Sequence, residues 1–390
     1  MRAYVFTDKS LTRQAGRFVW LQLDSEKAGN AATTKRLGVQ ALPTFFILDP
    51  TDEHVAIRWV GGASVAQLEK LLDDGSAAVA VSFGAGRHAA GSPAERTLMR
   101  ADSLYGASAY AEAAKAYDQA LAAAPAGWPR YGRAVESLMF ALSQTDQSEA
   151  LVKLARAAYP RLKHTSSAAN VAGSGLDAVL ELPDTLAQRR SWVAEFEACC
   201  REVLADRSLS LAGDDRSALY IALLDARHDA KDDAGAHHVA EAWALMLEGE
   251  AAKARTPDAR AVYDPHRLSA YIELGQPERA IPMLEASERD LPGDYNPPAR
   301  LAIAYRAMKR WSDGLAASDR AFARAYGPRQ LGMYQVRADL YVGLADSTAA
   351  RRTIASAIAF ADSLPPGQRS ERTLATLRKR LDGLGGAAAR

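Results

Sequence analysis

The chain has 390 residues, 48% of them hydrophobic, enough for two or three domains with cores of their own. Its 48 lysines and arginines nearly cancel its 47 aspartates and glutamates, which argues against a basic nucleic-acid footprint or an acidic tail. No apolar run approaches the roughly 18 residues of a membrane span, and Met1-Arg2-Ala3-Tyr4-Val5-Phe6 lacks the layout of a signal peptide. As written, the sequence is expected to be cytoplasmic, without a membrane span and without a nucleic-acid partner.

The first elements alternate. Phe18-Val19-Trp20-Leu21-Gln22-Leu23-Asp24 is a short apolar run closing on an acid, the pattern of a strand buried on both faces in a parallel sheet. A helix follows over 30–37, with Asn30 as N-cap and Gly38 as its stop. Then come Pro43, a strand over 44–48, a turn at Asp49-Pro50-Thr51-Asp52, a strand over 54–60, Gly61-Gly62, and a helix over 64–72. Pro43 stands directly before the strand-prone Thr44-Phe45-Phe46-Ile47-Leu48, where it is either a cis proline in a tight turn or a trans proline opening an edge strand.

Together these residues resemble the later part of a thioredoxin fold: the strand ending at Asp24, the helix into Leu37-Gly38-Val39, Leu42-Pro43-Thr44 with the strand behind it, and Val60-Gly61-Gly62 before the final helix. The resemblance covers 1–75 and implies a cis Pro43 whose neighbours Leu42 and Thr44 line a peptide-binding loop. Met1 to Gln14 is similar to the helix and loop that follow the redox cysteines in that family. The Cys-x-x-Cys that its chemistry needs at a helix N-terminus does not occur in this chain. The strand that would precede such a pair is central to the family's sheet. Two expectations follow: the native chain starts upstream, where an export signal to the periplasm would also fit, or the domain is degenerate and rearranged. Cys199 and Cys200 are adjacent, which suits two small buried hydrophobes on a helix better than a disulfide.

Residues 76–93, rich in Gly, Ala and Ser, are expected to form a linker, with the domain boundary near 85–93. Gly84-x-Gly86 fits a phosphate loop less well, because neither a Gly-x-Gly-x-x-Gly nor a Gly-Lys-Ser/Thr completes it.

From 94 to 390 the periodicity is helical. Ala101-x-x-Leu104 with Tyr110, Ala113, Tyr117 and Ala120 sets a skeleton that returns with Leu268-x-x-Tyr271 and Ala280, with Ala302-x-x-Tyr305 and Gly314, and with Ala338-x-x-Tyr341 and Ala350. This resembles tetratricopeptide repeats, clearest over 94–127, 261–294, 295–328 and 331–365. A degenerate repeat is expected over 134–160, an uncertain register over 165–250, and a capping helix over 374–384. The resemblance implies an all-α helical solenoid holding a protein or peptide partner on a concave face, where Arg306, Tyr334 and Arg337 are candidates by spacing, against the plainer reading of packing or solvated residues.

His228, Asp229, Asp232, Asp233, His237 and His238 lie close in sequence, but their spacing matches no zinc motif, and Asp232-Asp233-Ala234-Gly235 reads as an interhelical turn. Asp214-Asp215 reads as a helix start and Asp73-Asp74 as a loop. No hydrolase elbow, kinase or P-loop signature appears, so neither cofactor nor metal is expected. Two functions remain: a redox-inactive interaction protein, or a thiol–disulfide oxidoreductase whose cysteines lie upstream and whose array docks the substrate.

Overall fold

The computed structural model describes residues 5–82 and 92–386. It is 69% helical, with one small sheet. The chain divides into two compact units: unit 1 takes the residues up to Arg17 with Gly38–Val239, and unit 2 takes Phe18–Leu37 with everything from Ala240 onward. This division differs from the boundary expected at 76–93. Residues 76–82 continue a helix, and 83–91 lie outside the described residues.

Unit 1 begins with a 3-10 turn, Lys9–Gln14, capped by the Asp8 carboxylate. Strands β1 (Thr44–Leu48) and β2 (Val55–Val60) form a two-stranded antiparallel hairpin, pairing Thr44 with Val60 and Ile47 with Ile57, with an irregularity at Ile47/Leu48. Their aromatic and β-branched residues suit a pleated surface with one side covered. Helix α2 (Val65–Ser82) packs on both strands and runs ten residues past its expected end at 72, so Asp73 and Asp74 are helical rather than in a loop. Helices α3 (Pro93–Gly106), α4 (Tyr110–Ala122), α5 (Tyr131–Ser143), α6 (Ser148–Leu162), α7 (Ala168–Leu180), α8 (Arg189–Ala205) and α9 (Gly213–Asp229) follow, each from α4 on packed on its predecessor. Helix α10 (Asp233–Lys253) starts in unit 1 and has its residues from Ala240 in unit 2.

The hairpin lies against α3. Gly106 leaves room for it, since a Cβ there would stand 2.8 Å from the Val55 side chain. Arg58, an arginine inside an apolar strand, is only 3% exposed. It donates to the Gly38 carbonyl and to Ser108 Oγ at 2.8 Å, and its guanidinium lies near the rings of Phe46, Tyr105 and Tyr110. A charge buried so deeply is tolerable because acceptors and aromatic faces surround it.

A second buried network joins α2, α3, α4 and α5. Asp102 is 5% exposed. It accepts from Tyr117 Oη at 2.7 Å and from both Arg133 terminal nitrogens at 2.8 and 3.0 Å. Arg133 Nε also reaches Asp74 at 3.0 Å, and Arg130 bridges Asp74 and Glu95.

Unit 2 contains α1 (Ala31–Arg36) near the start of the chain. Its later helices are α11 (Pro257–Ala261), α12 (Asp264–Glu273), α13 (Ala280–Asp290), α14 (Asn296–Ala307), α15 (Trp311–Phe322), α16 (Gln330–Gly343), α17 (Ser347–Ser363) and α18 (Glu371–Gly386). From α12 on, each helix packs on the next, and α14 also touches α12 and α16. Packing of each helix on the next, with contacts between successive pairs through α12, α14 and α16, is that of a helical solenoid. Leu374 and Leu377 of α18 close the last core layer with Ile354 and Ala357.

One backbone device recurs in both units. Two or three positions past the first helix of a pair the backbone is left-handed, at Ser108, Asp146, Lys231, Gly275, Lys309 and Ala345, with φ from 54° to 68°. In each case the next N–H donates to the carbonyl five residues back: Ala109 to Leu104, Gln147 to Leu142, Asp232 to Arg227, Gln276 to Tyr271, Arg310 to Tyr305 and Asp346 to Tyr341, at 2.8–3.0 Å. These are Schellman turns, which satisfy helix-end carbonyls while reversing the chain. Five positions further on stand Ala113, Leu151, Ala236, Ala280, Gly314 and Ala350, all buried and five of them small, where the returning helix crosses its partner closely.

The strand expected over 18–24 does not form. Those residues are irregular, and Val19 (89%) and Leu21 (78%) are strongly exposed. An apolar run becomes a strand only where a neighbour offers a ladder; here the segment groups with unit 2, whose other described elements are helical. The sheet is thus antiparallel and two-stranded, not parallel. Asn30 occupies the N-cap position, but its side chain makes no cap bond and donates instead to the Asp24 carbonyl at 2.8 Å.

Candidate functional site

In unit 1, Leu42, Pro43 and Thr44 form the approach to β1. The Leu42–Pro43 peptide is cis. Leu42 is 55% exposed and Pro43 is exposed, while the Pro43 carbonyl accepts from Gly61 N at 2.9 Å and Thr44 Oγ1 donates to the Ala41 carbonyl at 2.6 Å. The three residues share one exposed corner of the hairpin. Cys199 and Cys200 sit on α8, Cys200 fully buried, and neither is in a disulfide. Burial pushes the Cys199 thiol up to about 11 and that of Cys200 higher, so both stay protonated near neutrality, unsuited to nucleophilic attack.

In unit 2, Arg306 on α14 pairs with Asp339 on α16, which Arg380 of α18 also holds. Arg337 turns toward α15, where it meets Asp319 and, at 2.9 Å, Ser318 Oγ. Tyr334 packs edge-on against Phe322, its ring centroid 4.8 Å away, and against Phe360. Tyr334 and Arg337 therefore share Phe322, whereas Arg306 belongs to a separate ion-pair row.

A site that local sequence reasoning missed lies where residues 24–31 meet the loops between helix pairs. Glu26 accepts from Tyr295 Oη at 3.1 and 3.3 Å and from Arg329 Nε at 2.6 Å. Asp24 accepts from Tyr326 Oη at 2.5 Å, and the Ser25 carbonyl from Gln368 Nε2 at 2.8 Å. Tyr295 precedes α14, Tyr326 and Arg329 lie between α15 and α16, and Gln368 lies between α17 and α18, so successive loops each contribute.

Two glycines admit the backbone of the segment. A Cβ on Gly327 would overlap the Glu26 carbonyl, and one on Gly367 would overlap that of Ala31. Tyr326 and Tyr295 stay protonated as donors. The hydrogen bond to Asp24 pushes Tyr326 up to about 12, and burial beside Glu26 holds Tyr295 above its usual value. An open cleft runs beside the segment, bounded by Tyr326, Phe360, Leu364 and Pro365. No local pattern could have disclosed these contacts, because the partners are 269 to 343 positions apart.

The carboxylates of Asp49 and Asp52 and the His54 ring also approach one another. Local bonds account for them: Thr51 donates to Asp49, and His54 N to Asp52. Asp232 accepts from Gly235 N at 2.9 Å at the start of α10, so of the turn expected over 232–235 only Asp232 lies between the helices. Compared with known proteins, the chain matches no family model and no curated protein.

Proposed function

We propose that the chain is a protein-interaction module: a thioredoxin-like segment without redox cysteines, joined to a tetratricopeptide-type array that holds an extended acidic peptide along its inter-repeat loops. The carrying observation is the grip on Asp24-Ser25-Glu26 by Tyr295, Tyr326, Arg329 and Gln368, with Gly327 and Gly367 giving way to the peptide backbone. Phenol and guanidinium donors on carboxylates, beside an apolar cleft, can recognise an acidic side chain and anchor a neighbouring apolar one. The tetratricopeptide reading draws on the recurrent Schellman turns, 34 and 36 positions apart at Gly275, Lys309 and Ala345.

Arg306, Tyr334 and Arg337 remain candidates for a second contact surface, but each already has intramolecular partners, and the loop edge is the better-supported site. Thiol–disulfide exchange draws no support from Cys199 and Cys200, whose thiols are held protonated.

A labelled peptide spanning residues 22–32 tests the reading on chain carrying Asp24→Ala and Glu26→Ala, which weakens the resident segment. Saturable binding is expected by fluorescence anisotropy, with a loss of about three- to fivefold on adding Arg329→Ala, the worth of one water-facing ion pair. Absence of saturable binding, or binding indifferent to Arg329→Ala, rejects the proposal.

A further inference from the structure

Within unit 1 a cavity opens between β2 and helices α3, α5, α6 and α7. Trp59, Tyr105, Met139 and Phe140 supply its apolar wall, and Glu136 and Asn170 its polar atoms. Glu136 is 7% exposed. Its Oε2 accepts from Asn170 Nδ2 at 2.8 Å, and Asn170 is itself held by Ser174 Oγ at 3.0 Å. Its Oε1 is buried and has no hydrogen-bond partner among the described residues. A carboxylate buried in a cavity wall with so few donors carries a desolvation cost that an incoming cation would relieve.

The charges nearby favour a cation. Burial pushes the Glu136 carboxyl up to about 7, the nearby Ser167 hydroxyl and the Asn170 hydrogen bond oppose this, and the Asp215 carboxylate on α9 adds to it. Asp215 is raised by its own burial, and burial keeps the Tyr105 phenol on α3 protonated. On the β2 side, Arg58 is occupied by Gly38 and Ser108 and lies against the rings of Phe46, Tyr105 and Tyr110. An anion would meet the Glu136 carboxylate, and a neutral apolar group would leave its charge unrelieved. A quaternary ammonium has no N–H to give.

We infer that this cavity binds a primary ammonium on a short apolar stem, the ammonium pairing with the Glu136 carboxylate while the stem lies against Trp59, Tyr105 and Phe140. Aromatic walls add cation–π attraction to the ion pair. A lysine side chain of a partner peptide and a free alkylamine present the same chemistry. The site is separate from the loop edge of unit 2 and does not depend on it.

Calorimetric titration of the full chain tests this with n-butylammonium, the peptide acetyl-Gly-Ala-Lys-Ala-Gly-amide, and neutral n-butanol as control. Because binding requires the ionised carboxylate, n-butylammonium should bind about tenfold more tightly near pH 8 than near pH 6. Glu136→Gln, which keeps the shape, should lose at least about tenfold in affinity together with the pH dependence, the worth of a charge-assisted bond. Ser143→Phe, at an exposed position of the cavity rim, should block entry while the Glu136 ¹³Cδ titration stays in place, and it carries the test if Glu136→Gln misfolds. Binding of the peptide as well supports a protein lysine as ligand; binding of n-butylammonium alone supports a free amine. Equal binding of n-butanol, no saturable binding of either cation, or affinity retained in Glu136→Gln overturns the assignment.

Discussion

Asp102 in unit 1 and Glu26 in unit 2 are bound by the same chemistry, a tyrosine hydroxyl and an arginine, at very different depths. Around Asp102 both partners are enclosed, with the Arg133 side chain 11% exposed. Around Glu26 the carboxylate is sheltered, but the Arg329 side chain is 57% exposed. A fully desolvated pair cannot be opened without stranding a charge, whereas a water-facing arginine exchanges its partner for solvent at little cost. Depth, not the identity of the bonds, makes the first a fastening of the fold and the second a grip that a competing peptide can take over.

The sharpest break of this comparison is Arg133→Met, which leaves Asp102 without its guanidinium and Asp74 with Arg130 alone. It should destabilise unit 1 by about 3–5 kcal/mol in denaturant unfolding. Glu136 probes depth in the opposite direction, as a buried carboxylate without a cation. Its folded-state value, near 7, lies above the ordinary 4.5. Between these values the folded state holds more protons than the unfolded one, so this group's contribution to stability falls as pH rises through that window and stays low above it. Glu136→Gln should therefore raise stability by on the order of 3 kcal/mol near pH 8 and change it little near pH 4.

At the loop edge the effects shrink. Gly367→Ala should cost about 1–3 kcal/mol locally by forcing the Ala31 backbone away, read as faster amide exchange over residues 24–31. Arg329→Ala should cost less than about 1 kcal/mol, and that cost should fade in about 1 M salt, whereas the Arg133→Met deficit should persist. Lys309→Gly should instead stabilise by roughly 0.5–1 kcal/mol, because a β-carbon is unfavourable at its φ of 59°. A salt-insensitive Arg329 or a salt-sensitive Arg133 would undo the depth argument.

The helix pairs were legible because Ala101, Leu268, Ala302 and Ala338 recur in a register that packing enforces, and the hairpin because Thr44–Leu48 and its partner strand are bounded by strong turn residues. Residues 18–24 misled because apolarity reports burial only when some surface comes to cover it. The Schellman turns were hidden, since five of the six left-handed positions carry no glycine. Glu136 and Arg58 left a trace that could have been followed: each is a lone charge inside an otherwise apolar stretch. Tyr295, Tyr326 and Arg329 left none, because only the folded chain brings them to Glu26.

The Schellman turns also bear on how such a chain can change. Each is closed by main-chain bonds, and its left-handed residue is variously Ser, Asp, Lys, Gly or Ala. The hairpin angle is thus uncoupled from the side chains displayed at the tip. Five of those tips are exposed, Ser108 being tied to Arg58, and the five form a set of addressable positions at which surface chemistry can be rewritten, by drift or by a designed library, while the helices behind them keep their places.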